Sequence, residues 1–457
     1  MSILIKNGII VNANKTFTGD IYIENEIIKE INTNLNIESD EIIDATGKYI
    51  IPGGIDVHTH FNLDVGIAVA KDDFYTGTIA AACGGTTSIV DHMGFGPKGC
   101  NLHHQLKKYH EYADNIAVID YGFHGVIQKV DDDILKEIEE LIEEGITSFK
   151  IYLTYDYKVS DKDALRVFEK LNTLGGITCV HCENNDCVNY LREKFKSHNL
   201  KTPIYHAYSR PPECEGEAIN RMINIAKIAG NYKLYIVHLS TELGLNYIKM
   251  AKESGQNVYA ETCPQYLLLN EDKYKLEENQ GLKYIMSPPL RKKSDNNALW
   301  QGLAQGYINT IATDHCPFDF NGEKQLGKDD FTKCPNGLPG VETRVPLIFS
   351  EGVMKNKISI NKFVDVISTT PAKIFGLYPK KGAIAIGSDA DLVILDPEKE
   401  IILSKKYLHE NVDYTAYEGM KLKGYPVLTI LRGKIIVKNN IFLGQKGDGK
   451  FIKREIS

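Results

Sequence analysis

Long hydrophobic runs are missing from this chain of 457 residues. None approaches the ~20 apolar residues of a membrane-spanning helix, and Met1 to Gly8 has no basic region followed by an apolar stretch. Neither a membrane partner nor a cleaved export signal is expected. A basic excess is missing too: 53 Lys and Arg stand against 60 Asp and Glu, a net charge of −7 with the signs interspersed. Nucleic acid is therefore not an expected partner. The nine cysteines are odd in number and scattered, which does not suit a disulfide framework. A soluble protein of the reducing cytoplasm is the expectation.

What is present changes in texture along the chain. The first fifty residues read as a meander of short strands, Ile3 to Ile5, Gly8 to Val11, Asp20 to Ile23 and Ile27 to Ile31, with Asn and Gly turns between them. The style returns in Ala390 to Leu395 and Val427 to Val437, so the two ends are expected to form one β-sandwich. From residue 51 to residue 375 short apolar strands alternate with amphipathic helices, the pattern of a parallel sheet. Eight candidate strands, at 55–60, 87–93, 120–127, 147–153, 178–182, 234–239, 257–263 and 308–315, predict a closed (β/α)8 barrel. The expected α/β organisation is 1–50 sandwich, 51–375 barrel, and 376–457 sandwich plus an oligomerisation tail.

In such barrels the active site lies at the C-terminal ends of the strands. His58 and His60 end the first strand, and two residues apart they share one face. Lys150 lies in the fourth strand, His181 ends the fifth, His238 the sixth, and Asp314 falls at the end of the eighth. In Ser148-Phe149-Lys150-Ile151, period two sends Phe149 and Ile151 outward against helices and Lys150 into the barrel. A buried ammonium is costly. Either a neighbouring Asp or Glu pairs with Lys150, or the lysine has taken up carbon dioxide to become a carbamate. His103 and His104 are read as part of a solvated connection. His92, His124 and His315 are candidates for supporting the ligating groups.

Taken with these residues, the stretches Pro52 to Asn62, Gly145 to Lys150, Ala260 to Leu267, Ser287 to Arg291, Thr313 to Phe318 and Pro335 to Arg344 closely resemble the dihydropyrimidinase and hydantoinase family of cyclic amidohydrolases. The resemblance extends to Gly387 to Val393 and Asn411 to Tyr414, both expected in the sandwich. It implies two divalent metal ions, zinc foremost. His58, His60, Asp314 and Lys150 as N6-carboxylysine would hold one; the same carbamate with His181 and His238 would hold the other. It implies a bridging hydroxide as nucleophile, Asp314 as proton acceptor and donor, and Tyr155 as the phenol that stabilises the oxyanion. Ser287 and Asn336 would bind the ring amide. A homotetramer is implied as well, with Gly444 to Ser457 reaching a neighbouring subunit.

Allantoinase and dihydroorotase relatives place an arginine soon after the His-x-His, and Phe61 to Ile67 has none. A neutral cyclic ureide is therefore the expected substrate, opened to an N-carbamoyl amino acid. Val65, Ile67, Tyr152 and Tyr157 are expected around it, with Asp64 an odd neighbour. A non-catalytic relative of this family is the less favoured reading, because such proteins have lost metal ligands and this chain keeps all six positions.

Overall fold

The computed structural model describes residues 2–97 and 99–456. The N-terminal end supplies β1 (Ser2–Val11), β2 (Thr16–Glu24), β3 (Ile27–Asn32), β4 (Glu41–Asp44) and β5 (Tyr49–Pro52). The middle supplies β6 (Gly54–Thr59), β7 (Thr86–His92), β8 (Asp120–Val126), β9 (Ser148–Tyr152), β10 (Ile177–His181), β11 (Leu234–Ile236), β12 (Val258–Thr262) and β13 (Thr310–Ile311). The C-terminal end adds β14 (Leu392–Ile402), β15 (Lys421–Leu431), β16 (Lys434–Lys438) and β17 (Ile441–Phe442).

Strands β6 to β13 form one parallel sheet in sequential order. The sheet closes on itself where the chain after β13 meets β6: the Asp314 N–H donates to the His58 carbonyl at 2.9 Å and the His60 N–H to the His315 carbonyl at 3.0 Å. The barrel helices form for ordinary local reasons. In Asp132–Glu143 the Asp131 side chain caps the Ile134 N–H, and Ile134, Ile138 and Leu141 share the buried face. Asp161–Leu174 begins at a Ser160 cap and stops at Gly175, whose φ of 80° suits a residue without a Cβ. Phe149 and Ile151 pack outward with Val167 and Phe168 in the main core. Ile55, Val57, Cys179, Tyr235 and Phe375 fill the floor inside. The barrel is thus solid below and open above.

The other strands form one nine-stranded sheet built from both chain ends, as the repeated strand style predicts. Its pivot is β1. Ile3 to Lys6 pair with β4, Ile9 and Ile10 pair with β5, and the register slips between Ile5 and Gly8. The two predicted strands 3–5 and 8–11 are therefore one bent strand. Side chains from both arms, Ile3, Ile5, Ile50, Leu392 and Ile430, meet in a single cluster, which gives the sheet its two-layered core.

Several local expectations need correction. His103 and His104 lie in the first turn of the helix Leu102–Ala113, which Asn101 caps, and His103 pairs with Glu140 at 2.8 Å. Asn411 to Tyr414 are not in a sheet strand. The Asn411 N–H donates to Asp72 and the Tyr414 hydroxyl to the Lys283 carbonyl, so this motif braces the barrel's upper loops. Apart from these corrections, the tail from Gly444 is anchored on its own barrel: Ile452 N–H donates to Tyr121 O at 2.8 Å and Glu455 N–H to Gly376 O at 3.0 Å. A Cβ at Gly376 would lie 1.7 Å from the Glu455 carbonyl oxygen, so that seat requires glycine. Cys179 and Cys182, at Cys-x-x-Cys spacing, part company: Cys179 joins the floor and Cys182 the outer core, and all nine cysteines are free. No helix among the described residues is long and apolar enough to cross a membrane.

A buried ion cluster joins the two parts. Lys381, 2% exposed, approaches Asp120 of β8 at 2.5 Å, Asp391 at 2.6 Å and Asp389 at 2.9 Å. Arg432 also reaches Asp120, and the Lys450 N–H donates to it at 2.9 Å. Lys381 thus ties barrel to sheet, and Asp120 brings in the tail. Lys381→Met is expected to cost about 3–5 kcal/mol, the range for removing one partner of a buried charge group. Urea unfolding of both proteins measures it, and a loss below 1 kcal/mol would refute the assignment.

Candidate active site

The upper end of the barrel holds a cavity of about 610 Å³. Around it the structure places all nine residues singled out in the sequence: His58, His60, Lys150, Tyr155, His181, His238, Ser287, Asp314 and Asn336. The histidines, Tyr155 and Asp314 stand at or just beyond the C-terminal ends of their strands, Lys150 lies within β9, and Ser287 and Asn336 come from the long connections after β12 and β13. Three of them, Tyr155 (φ 70°), His238 (φ 38°) and Asp314 (φ 56°), have left-handed backbones where no glycine marks the turn. Each such residue costs about 1–3 kcal/mol and turns a side chain sharply into the cavity.

Two groups of ligand atoms result. His58 Nε2 and His60 Nε2 lie 3.2 Å and 3.1 Å from Asp314 Oδ1. His58 Nδ1 is 2.6 Å from Glu261 Oε1, and since a carboxylate only accepts, the ring proton sits on Nδ1. Nε2 is then a lone pair facing an anion, buried and without a hydrogen bond. That is a seat for a cation, and these three side chains are mutually placed to hold a metal ion.

In the second group, His181 Nε2 donates to Glu183 Oε2 at 2.8 Å, which leaves Nδ1 as a lone pair facing His238 Nε2 at 3.0 Å. His60, His181 and His238 are held towards the neutral form that ligation requires. Burial pushes His60 down to about 4 and lowers His181 and, further, His238. At His58 burial also lowers and is the largest single cause, but the Glu261 and Asp314 carboxylates together outweigh it and the net direction is up. Burial works to raise the Asp314 carboxyl, and the His58 and His60 imidazoles more than reverse it.

Lys150 is 1% exposed. Among the described residues no carboxylate lies within 4 Å of its Nζ, and burial pushes its ammonium down from the usual lysine range. The ion-pair explanation of this lysine is therefore not what the structure contains.

The rest of the cavity has two characters. Leu63, Val65, Ile67, Phe95, Tyr152 and Tyr157 form an apolar wall, with Phe95 and Tyr157 stacked at 3.8 Å. Asp64 lies outside it, exposed, accepting from the Gly66 N–H. Asn185, Asn189 and Arg192 form a polar part of the lining. Arginine thus does reach the cavity, from the helix Asn185–Ser197 and not from the segment after His60; Arg192 donates to the Thr332 carbonyl at 3.2 Å. Arg210 is committed to Glu183 and lies 5.7 Å from the Tyr155 ring, which itself stands 5.4 Å from His181. Burial raises the Tyr155 phenol while Arg210 opposes it, so the hydroxyl keeps its proton for donation.

Residues 49–436 match the amidohydrolase family. The chain belongs to that family. A D-phenylhydantoinase of Escherichia coli O1:K1 / APEC is 51% identical over 456 residues, which is 100% of this chain and 98% of that protein. The crystal structure of dihydropyrimidinase from Brevibacillus agri NCHU1002 superposes with a TM-score of 0.98 at 44% identity, covering 100% of this chain and 99% of that one. L-Hydantoinase (dihydropyrimidinase) from Arthrobacter aurescens gives 0.90 at 29% identity, with 99% of each chain covered.

Sequence reading missed Glu261 and Glu183 as individuals, although the argument that exposed Lys150 would have found both. Glu261 lies in Val258–Thr262 and Glu183 two residues beyond His181, so period two turns each toward the interior. Glu261 also accepts from the His238 N–H at 3.0 Å and from Tyr235, joining the two histidine groups. Glu261→Gln removes the charged acceptor behind His58 and is expected to weaken metal retention about 10- to 100-fold, the usual scale for such supporting groups. Metal content after graded chelator dialysis measures it; retention equal to that of the wild type would exclude this role.

Proposed function

We propose that this chain is a binuclear metal hydrolase that opens neutral cyclic ureides, dihydropyrimidines or 5-substituted hydantoins, to N-carbamoyl amino acids. The observation that carries the reading is Lys150, buried with no carboxylate within 4 Å among the described residues, beside a histidine pair whose His58 lone pair faces the Asp314 carboxylate and a second pair, His181 and His238, in mutual contact. Carboxylation of its Nζ would turn a costly cation into a two-oxygen ligand shared by both groups. His58, His60 and Asp314 would complete one site; His181 and His238 would complete the other. Zinc suits imidazole and carboxylate donors. When bound, the two cations supply Lewis-acid activation of the ring carbonyl and of a water whose pKa falls toward about 7.

The protein's own groups then have definite tasks. Asp314 takes a proton from the water as its oxygen bonds to the carbonyl carbon, and returns it to the ring nitrogen as the C–N bond breaks. Tyr155 donates its phenolic proton in a hydrogen bond to the carbonyl oxygen as negative charge builds there. Ser287 and Asn336 hold the remaining ring amide, and the apolar wall receives the ring substituent. The product carries one new carboxylate and one ureido group. The homotetramer and cytoplasmic setting belong to this proposal too; the free thiols support the latter.

Metal analysis and two variants test the centre. Wild-type protein is expected to hold two divalent ions per chain, and Lys150→Ala to lose metal and activity together, with partial rescue by short-chain carboxylic acids. Tyr155→Phe is expected to keep its metal and lose about 10²- to 10³-fold in kcat, the scale for one oxyanion donor. An active, metal-loaded enzyme with unmodified Lys150 would sink the bridging role.

A substrate panel tests the chemistry. Hydrolysis of dihydrouracil, dihydrothymine and 5-phenylhydantoin is expected, with negligible turnover of dihydroorotate, whose carboxylate would meet the apolar wall at a cost of several kcal/mol. Preference for dihydroorotate or allantoin would show that Arg192 and its polar neighbours, not the wall, set specificity.

A further inference from the structure

Lys324 is fully buried in the short turn Glu323–Gly327, outside the cavity. Its Nζ donates to three main-chain carbonyls, Ile285 at 2.7 Å, Pro335 at 2.9 Å and Gly337 at 2.7 Å. Among the described residues no carboxylate lies within salt-bridge distance, so three carbonyl dipoles, with the Phe318 ring face 5.9 Å away, hold this cation. Ile285 precedes Ser287 by two residues, while Pro335 and Gly337 flank Asn336. Both segments that meet the ring in the proposed reaction therefore hang on one ammonium group. A direct bond from the Gly337 N–H to the Ile285 carbonyl, at 3.0 Å, reinforces the junction.

The peptide plane says what this does to Asn336. In a trans peptide the C=O and the following N–H point in opposite directions. Anchoring the Pro335 carbonyl on Lys324 turns the Asn336 N–H away from it. That N–H makes no hydrogen bond among the described residues, while Asn336 lines the cavity. A cation on the carbonyl also polarises the same peptide and strengthens its N–H as a donor. On the far side, the Cys316 N–H donates to the Leu338 carbonyl at 3.1 Å, so the segment is referenced to the backbone just beyond Asp314.

We infer that Lys324 is a positioning residue for ring recognition: it fixes the Ser287 and Asn336 segments at one spacing and aims the Asn336 N–H at a ring carbonyl. The inference rests on the cyclic-ureide reading above. Lys324→Met would leave three buried carbonyls without their donor, while Lys324→Gln keeps two N–H donors and no charge.

Steady-state kinetics on the metal-loaded proteins with dihydrouracil and with hydantoin provide the test. For Lys324→Met, KM is expected to rise about tenfold or more on both rings, the equivalent of one hydrogen bond to the ring, with kcat within about threefold and metal content unchanged. Lys324→Gln should fall between. A purely structural lysine would lower the melting temperature and the active fraction, leaving KM untouched, and that result overturns the inference. If neither variant folds, hydrogen exchange on the wild-type holoenzyme decides. Residues 281–290 and 331–340 should then exchange as one unit and be protected together by hydantoin; independent exchange overturns the inference. A wild type inactive on both rings would instead overturn the functional reading and this inference with it.

Discussion

Two backbone hydrogen bonds hold the active end of this molecule together: Asp314 N–H to the His58 carbonyl and His60 N–H to the His315 carbonyl. They close the barrel between its last and first strands, and they set the Asp314 carboxylate against the two imidazoles. Asp56 backs the same seam from below, accepting from the Thr313 hydroxyl at 2.7 Å and, more weakly, from its N–H. Regular pairing in β13 ends at Ile311, because the chain must leave the strand and adopt a positive φ at Asp314 to bring that carboxylate inward. The closure of the fold and the assembly of the first ligand group are thus one event. A barrel that failed to close there would lose its site before it lost its core.

The site so assembled is electrostatically incomplete. The His58 Nε2 lone pair faces an anion with no hydrogen bond, and among the described residues Lys150 has no carboxylate within 4 Å. Left-handed backbones at Tyr155, His238 and Asp314 add strain. None of this favours folding, so stability has to come from elsewhere. The outer core between strands and helices, the filled barrel floor and the Lys381 cluster supply it, all below or outside the cavity. Bound cations would relieve the upper end, coupling metal retention to the stability of the loaded enzyme.

How much of this was legible in the sequence follows from how local each feature is. Alternation of short apolar strands with amphipathic helices gave the barrel, and period two sent Lys150 inward, because both depend only on neighbours along the chain. The bent β1 was not legible: a slip at Lys6 and Asn7 looks like a turn until β4 and β5 are seen pairing with its two halves. His103 and His104 looked like loop residues because two polar side chains at a helix start carry no periodicity, yet Asn101 supplied a cap signal. Asn411 to Tyr414 were placed with the sheet by their position in the chain, whereas their partners Asp72 and Lys283 are more than a hundred residues away. Lys324 and Arg192 were invisible for the same reason, since nothing beside them in sequence says what they meet.

The division of labour in the cavity follows from the same contrast between strands and loops. Groups that would bind metal sit at or near strand ends, where the barrel's hydrogen bonds fix them. Groups that would meet the substrate sit on longer connections: Leu63, Val65 and Ile67 after β6, Tyr155 and Tyr157 after β9, Ser287 after β12 and Asn336 after β13. Loops are looser than strands, and ring recognition needs placement to well under an ångström. These loops are accordingly pinned by contacts that the metal centre does not need, Leu63 and Val65 by packing with Phe318 and Phe95. Phe95 stacks on Tyr157, Arg210 lies against Tyr155, and Lys324 joins the Ser287 and Asn336 segments. Substrate choice can therefore drift by exchanging pinned loops while the hydrolytic centre stays as the barrel's closure sets it.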